Sequence, residues 1–391
     1  MTASVLPAEF MLAAACCRWP LSEPALSAIA QAAARPIDWP YFMRIVARQR
    51  ITGLAANALR TAGIAPPPEA ASALTAGELR IARHNLRLTV ETIRLQRTFT
   101  ASGIPVVALK GVSLAQLAYG SLTLKHGRDI DLLVPPQHAL TAMALLEASD
   151  YALYNPAYQM SEAQRRAFVA HGREAEFVHR GGGLRVELHW QLTDNPALLR
   201  GVDAFSAARD VSMPGGGAIR TLAEDDLFAY LCVHGASHAW FRLKWLADLN
   251  ALIAAKDDAE IVRLYRHAQG KGAGLCAGQA IMLCRDLLGL PLPKALAAEL
   301  EGSRRVRRLV ALALRDMVRT DAATEPDVGA ATLVRDALMQ FRLGKGLAFY
   351  AAQVRLACIA SADVIRFPLP PAFYFLYPLL RLPSWIVRHL H

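Results

Sequence analysis

Arg128-Asp129-Ile130-Asp131-Leu132-Leu133-Val134 sets two carboxylates one residue apart inside a run that otherwise reads as a buried strand. Side chains alternate faces along a strand, so Asp129 and Asp131 point one way while Ile130 and Leu132 pack into a core. Two like charges buried side by side are costly unless something neutralises them. A divalent cation does this, and all-oxygen ligands suit Mg²⁺. A strand-borne Asp-x-Asp is therefore a candidate phosphoryl- or nucleotidyl-transfer site if a phosphate grip precedes it and a third acid follows.

Both partners are present. Upstream, Ile104-Pro105-Val106-Val107-Ala108-Leu109 reads as a short strand ending at Lys110-Gly111, and Val112 to Tyr119 reads as a helix. A strand that breaks at glycine and opens a helix exposes backbone N–H groups where the helix dipole favours anions. Gly111 admits a phosphate to the backbone, Ser113 offers a hydroxyl, and Lys110 a mobile charge. Lys125 and Arg128 are placed to neutralise a triphosphate or a pyrophosphate leaving group. Downstream, Leu184-Arg185-Val186-Glu187-Leu188-His189-Trp190 alternates again, with Leu184, Val186, Leu188 and Trp190 on one face and Arg185, Glu187 and His189 on the other. Three acids converging from neighbouring strands can hold two metal ions about 4 Å apart, clamping the attacking and leaving oxygens at phosphorus. Each piece alone also has a structural explanation. Salt bridges to Arg128 or Lys125 would absorb the Asp charges, strand–glycine–helix is a common connection, and Glu187 or His189 could simply be solvated or packed. The order of the three is what carries weight.

That order, Leu-Lys-Gly, then Asp-Ile-Asp-Leu-Leu-Val, then Val-Glu-Leu-His-Trp, resembles the nucleotidyltransferases of the DNA polymerase β superfamily, and more closely the uncharacterised bacterial nucleotidyltransferase family proteins. Asp38-Trp39, Ala82-Arg83-His84-Asn85 and the stretch from His234 to Leu249 are similar to the same group. The resemblance spans roughly residues 30 to 255. It implies an α+β fold, a small mixed β-sheet nucleotidyltransferase core flanked by helices, with Asp129, Asp131 and Glu187 as catalytic metal ligands. Lys110, Gly111, Ser113, Lys125, Arg128 and His189 would surround the nucleotide. The implied reaction moves a nucleoside monophosphate from an NTP such as ATP to a hydroxyl acceptor, using Mg²⁺, with two ions expected. The acceptor stays open among a protein, a peptide, a small molecule and an RNA end. One departure is that Val112 follows Gly111 where the superfamily usually has serine or glycine, which puts the Ser113 contact in doubt.

Around this core, of residues 101–195, the sequence predicts a helical region over 1–100 and a mostly helical one over 196–391. Asp38 is placed to cap a helix from Trp39, Pro66-Pro67-Pro68 breaks the chain, and a long helix runs from Glu69 to about Thr100. Leu222 to about Ala255 reads as helical, bringing His234, His238, Trp245 and Asp248 near one another. This helix either caps the nucleotide or acceptor pocket, with Arg242 or Lys244 toward phosphate, or packs its tryptophans in a core; a zinc site at the His pair lacks a third ligand.

Among 391 residues 54% are hydrophobic and 19% charged, with no uncharged apolar run of eighteen, which argues against a transmembrane helix. Met1 to Cys17 carries one charge, Glu9, and no basic leader, unlike a signal peptide. Six cysteines without metal spacing read as reduced thiols of a cytoplasmic protein. The net charge of +10 suggests a polyanionic partner, a nucleotide before nucleic acid or a membrane surface. The arginine-studded segment over 304–319 and the Pro-interrupted aromatic tail over 367–382 leave a membrane-peripheral interaction protein as one alternative. A catalytically inactive nucleotide- or RNA-binding module is the other.

Overall fold

The computed structural model describes residues 6–156, 160–318 and 338–359, and, beyond those, residues 363–364, 367, 369, 371–377 and 379–380. Five N-terminal helices, α1 (Ala8–Ala15), α2 (Glu23–Ala33), α3 (Trp39–Gln49), α4 (Thr52–Thr61) and α5 (Pro68–Ala101), precede the sheet. Asp38 caps α3 by accepting from the Tyr41 N–H at 2.9 Å. Pro68 opens α5, where its missing N–H costs nothing.

The sheet is mixed and seven-stranded, in the order β3-β4-β5-β2-β1-β7-β6. Its strands are β1 (Val107–Ala108), β2 (Ile130–Leu133), β3 (Tyr151–Asn155), β4 (Glu174–His179), β5 (Arg185–His189), β6 (Arg209–Ser212) and β7 (Ala218–Thr221). The sequence finds β2 and β5 within a residue or two, and the helix α6 (Val112–Tyr119) likewise, while α7 (Ala139–Ala148) follows β2 and α8 (Glu162–His171) precedes β4. It overextends β1, since only two residues of the run from Ile104 to Leu109 pair. It passes over β3, and over β6 and β7, which add to the sheet beyond residue 195.

The alternation in β2 and β5 sorts side chains as expected. Ile130, Leu132, Val134, Val186, Leu188 and Trp190 join one core with Leu88, Leu95 and Phe99 of α5. Val107, Leu109 and Leu133 face a second, larger core built with the C-terminal helices. Asp131 and Glu187 lie on that second side, where they meet α9 (Glu224–Ser237) and α10 (Leu243–Ile253).

Leu222 to Ala255 is therefore not one helix. The chain turns between Ser237 and Leu243, with Ala239 and Trp240 both left-handed at φ 48° and 52°. After α11 (Asp258–Gly270), α12 (Gly274–Leu283) and α13 (Lys294–Gly302), α14 (Arg304–Val318) buries Val306, Leu309, Val310, Ala313 and Met317 and leaves Arg304, Arg305, Arg307, Arg308 and Arg315 exposed, a solvated bundle face. Arg319 and the tail prolines Pro368, Pro370 and Pro378 lie outside the described residues. Among the described residues no helix is long and apolar enough to cross a membrane.

Candidate active site

β2 and β5 are adjacent and parallel, and their register sets Asp131 beside Glu187 and Leu133 beside His189. Both acids and the histidine thus rise from one patch of sheet, and their ligand-capable atoms lie within 4.8 Å of one another. His189 Nε2 stands 3.4 Å from Asp131 Oδ1 and 3.7 Å from Glu187 Oε2. Lys110, delivered by the end of β1, places its ammonium against Asp131 and 3.6 Å from Glu187 Oε2.

Behind this group runs a ladder of alternating charge. β4 pairs antiparallel with β5, and Glu174 falls opposite His189, its Oε2 3.0 Å from Nδ1. Arg173 reaches Glu174 Oε2 at 3.0 Å and, through Nε, Asp194 Oδ1 at 3.1 Å. The ladder leaves Nε2 as the ring nitrogen that faces the acids.

Charge and burial contend here. Burial works against the Lys110 ammonium, but Asp131, Asp129 and Glu187 outweigh it and hold its pKa well above the usual range. Burial likewise opposes the His189 imidazolium, and its contacts with Asp131, Glu174 and Glu187 push it up to about 10. The two carboxylates split. Burial pushes the fully enclosed Asp131 up to about 6 against the pull of Lys110. Glu187 is also opposed by burial, yet Lys110 and His189 hold it below the carboxylate range.

The loop that delivers the Asp-x-Asp is clamped from α5. Asn85, fully buried, donates to the carbonyls of Leu122 and Lys125, both at 2.6 Å, and accepts from the Gly127 N–H at 3.0 Å. Gly127 is required by this approach, since a Cβ there would come within 2.5 Å of Asn85 Oδ1.

The remaining predicted residues divide. Gly111, left-handed at φ 79°, caps α6 without a side-chain acceptor, so the first N–H groups of that helix stay open. Ser113 is buried and donates to the Lys110 carbonyl at 3.2 Å, outside the cavity lining. Lys125 lines the cavity but is paired with Asp248 at 2.5 Å, whose other oxygen accepts from Tyr119 at 3.1 Å. Arg128 is exposed at the cavity, and Asp129 is half-buried in its lining, outside the compact group of three. The cavity holds about 370 Å³.

Sequence reasoning missed Arg50, Arg173, Glu174, His126 and Tyr230, which share this lining. For Glu174 a signal existed: counting back across the Gly181-Gly182-Gly183 turn sets it opposite His189.

The donor set suits a divalent cation. Asp131 Oδ2 is buried with no hydrogen-bond partner. Two carboxylates and an imidazole oriented by a further carboxylate form a ligand group that transition-metal ions and Mg²⁺ can share. Neither His234 nor His238 belongs to such a group among the described residues.

Compared with known proteins, residues 35–289 match a family described as an uncharacterised nucleotidyltransferase. No curated protein matches the chain.

Proposed function

The chain belongs to this uncharacterised nucleotidyltransferase family, and from that premise we propose that it is a metal-dependent enzyme moving a nucleoside monophosphate from an NTP to a hydroxyl acceptor. In the reaction the acceptor hydroxyl gives up its proton to solvent, its oxygen bonds to the α-phosphorus, the α–β phosphoanhydride bond breaks, and pyrophosphate leaves. One observation carries the proposal: Asp131 and Glu187 stand in register on adjacent parallel strands, with a buried unpaired oxygen, beside the open N-terminus of α6.

Asp131 and Glu187 would hold the metal, with His189 presenting Nε2 to the same place and Asp129 available to a second ion. Mg²⁺ bound there would polarise the phosphate and lower the pKa of the acceptor hydroxyl. The chain's own groups do the rest. The α6 N–H groups and Gly111 receive phosphate oxygens through the backbone, which spares the turned-away Ser113. Arg128, Lys244 and Arg50 line the cavity where charge leaves with pyrophosphate. Lys110 neutralises the acids in the free protein, and with a cation held by Asp131 and Glu187 it would be free to face phosphate. The acceptor is a hydroxyl on a protein, peptide or small molecule. Five of the six free cysteines are buried, which fits a reducing, cytoplasmic setting.

Incubation with Mg²⁺ or Mn²⁺ and each α-labelled NTP, with pyrophosphate and transferred label as readouts, tests the proposal. Turnover should disappear in the double variant Asp129→Ala, Asp131→Ala while the fold persists. Nucleotide binding without turnover under all conditions would instead favour the inactive binding module.

A further inference from the structure

Tyr230, His234, His238, Phe241 and Trp245 make a continuous aromatic wall in the cavity that holds the acids. Tyr230 and His234 are stacked at 5.9 Å between ring centres. His234 meets Trp245 edge-on at 5.6 Å, and Phe241 meets it edge-on at 4.9 Å. His238 lies over Trp245 at 5.0 Å with 25° between the planes. His238 is exposed, and Phe241 and Trp245 are only half-buried, so these rings are not core.

The backbone that holds them is strained. Left-handed φ is rare at non-glycine residues, and Ala239 and Trp240 adopt it in succession. Two contacts hold the corner. Trp240 is fully buried over Gly235, where a Cβ would come within 2.4 Å of its ring. Gln49 of α3 accepts from the Leu243 N–H at 2.6 Å, fixing the start of α10. The corner turns His238 and Phe241 onto Trp245 instead of letting one helix run straight through.

We propose that this wall is the nucleobase subsite, the base of the NTP stacking on the outer face of His238 over Trp245. This rests on the nucleotidyltransferase reading and adds what selects the nucleotide. Among the described residues the lining contains no Asn, Gln, Ser or Thr side chain, and Arg173 and Arg242, which could otherwise bond a guanine edge, are engaged by Glu174, Asp194 and the Arg48 carbonyl. Selection therefore follows ring area, with purines ahead of pyrimidines and little discrimination between adenine and guanine. Lys244, 6.0 Å over the Trp245 ring, joins the wall to the cationic part of the lining, where the phosphates run.

Calorimetric titration with Ca²⁺ and ATP, GTP, UTP or inorganic tripolyphosphate isolates the contribution of the base. ATP and GTP should bind alike, a few-fold tighter than UTP and on the order of 10-fold tighter than tripolyphosphate. Trp245→Ala should weaken ATP on the order of 10-fold and leave tripolyphosphate unchanged, while Trp245→Phe keeps most of the affinity. His238→Ala, at an exposed position, should lose a few-fold for ATP alone and carries the test should Trp245→Ala fail to fold. Equal binding of ATP and tripolyphosphate, or His238→Ala and Trp245→Phe both matching the wild type with no purine preference, would overturn the subsite and leave the phosphate and metal reading standing. Binding of none of the four ligands would overturn that reading as well.

Discussion

Lys125–Asp248 and Lys110–Asp131 are two buried lysine–aspartate pairs lining one cavity, and they differ in completeness. Asp248 has both oxygens engaged, one by Lys125 and one by Tyr119. Asp131 has one oxygen against Lys110 and the other unpaired, with a second carboxylate and a histidine crowding the same place. A satisfied pair is architecture, joining the 120–127 loop to α10. An unsatisfied one keeps an oxygen free for something that arrives later. The same chemistry thus serves rigidity at one end of the cavity and, in the proposed function, ligand binding at the other.

The contrast breaks most sharply when one aspartate of each pair is removed. Asp131→Ala should cut turnover on the order of 10³-fold, the scale of a lost metal ligand. It should hardly lower the urea midpoint, because Lys110 keeps Glu187 as a partner. Asp248→Ala should do the opposite, lowering stability by about 3–5 kcal/mol as Lys125 is left buried without its carboxylate. Equal stability losses in the two variants would erase the distinction. Glu174→Gln sharpens it: without the charge behind Nδ1 the imidazole loses its orientation, and Mn²⁺ affinity by paramagnetic resonance should fall about 10–100-fold. Lys110→Met should raise Mn²⁺ affinity on the order of 10-fold, by removing a competing charge at close range, while weakening NTP binding. An unchanged Mn²⁺ affinity would show that the lysine does not compete. The smallest effect concerns pH. Burial, with Lys125 and Arg50 adding, holds Lys244 at about 7, so above pH 7 most of the free protein carries a neutral amine there. A polyphosphate beside it favours the ammonium and raises its pKa. Nucleotide binding at pH 7.5–8 should therefore take up a proton, and affinity should weaken as pH rises. Titrations in buffers of differing ionisation enthalpy measure the uptake, which Lys244→Met should abolish.

Much of this was legible in the residues because a two-residue alternation fixes which side chains share a face. Ile130 and Leu132 put Asp129 with Asp131, and Val186 and Leu188 put Glu187 with His189, but alternation shows neither that the two strands are neighbours nor that His189 rather than Asp129 completes the compact group. The corner after α9 was not legible, since His238 to Arg242 contains neither glycine nor proline and its left-handed residues are alanine and tryptophan. Tertiary burial of Trp240 overrides local preference there. β6 and β7 are four-residue strands flanking Pro214-Gly215-Gly216-Gly217, too short and polar for alternation to stand out. The pairing of Lys125 with Asp248 joins residues 123 positions apart, and no local pattern encodes it.

Asn85 has a consequence for how this protein can vary. One amide fixes three backbone groups of the segment that carries Lys125, Arg128 and Asp129, and it sits midway along a 34-residue helix. Adding or deleting even one residue between Leu122 and Gly127 would shift the aspartates out of step with Glu187. Surface loops elsewhere can lengthen at little cost, but this one has its length locked by a single side chain.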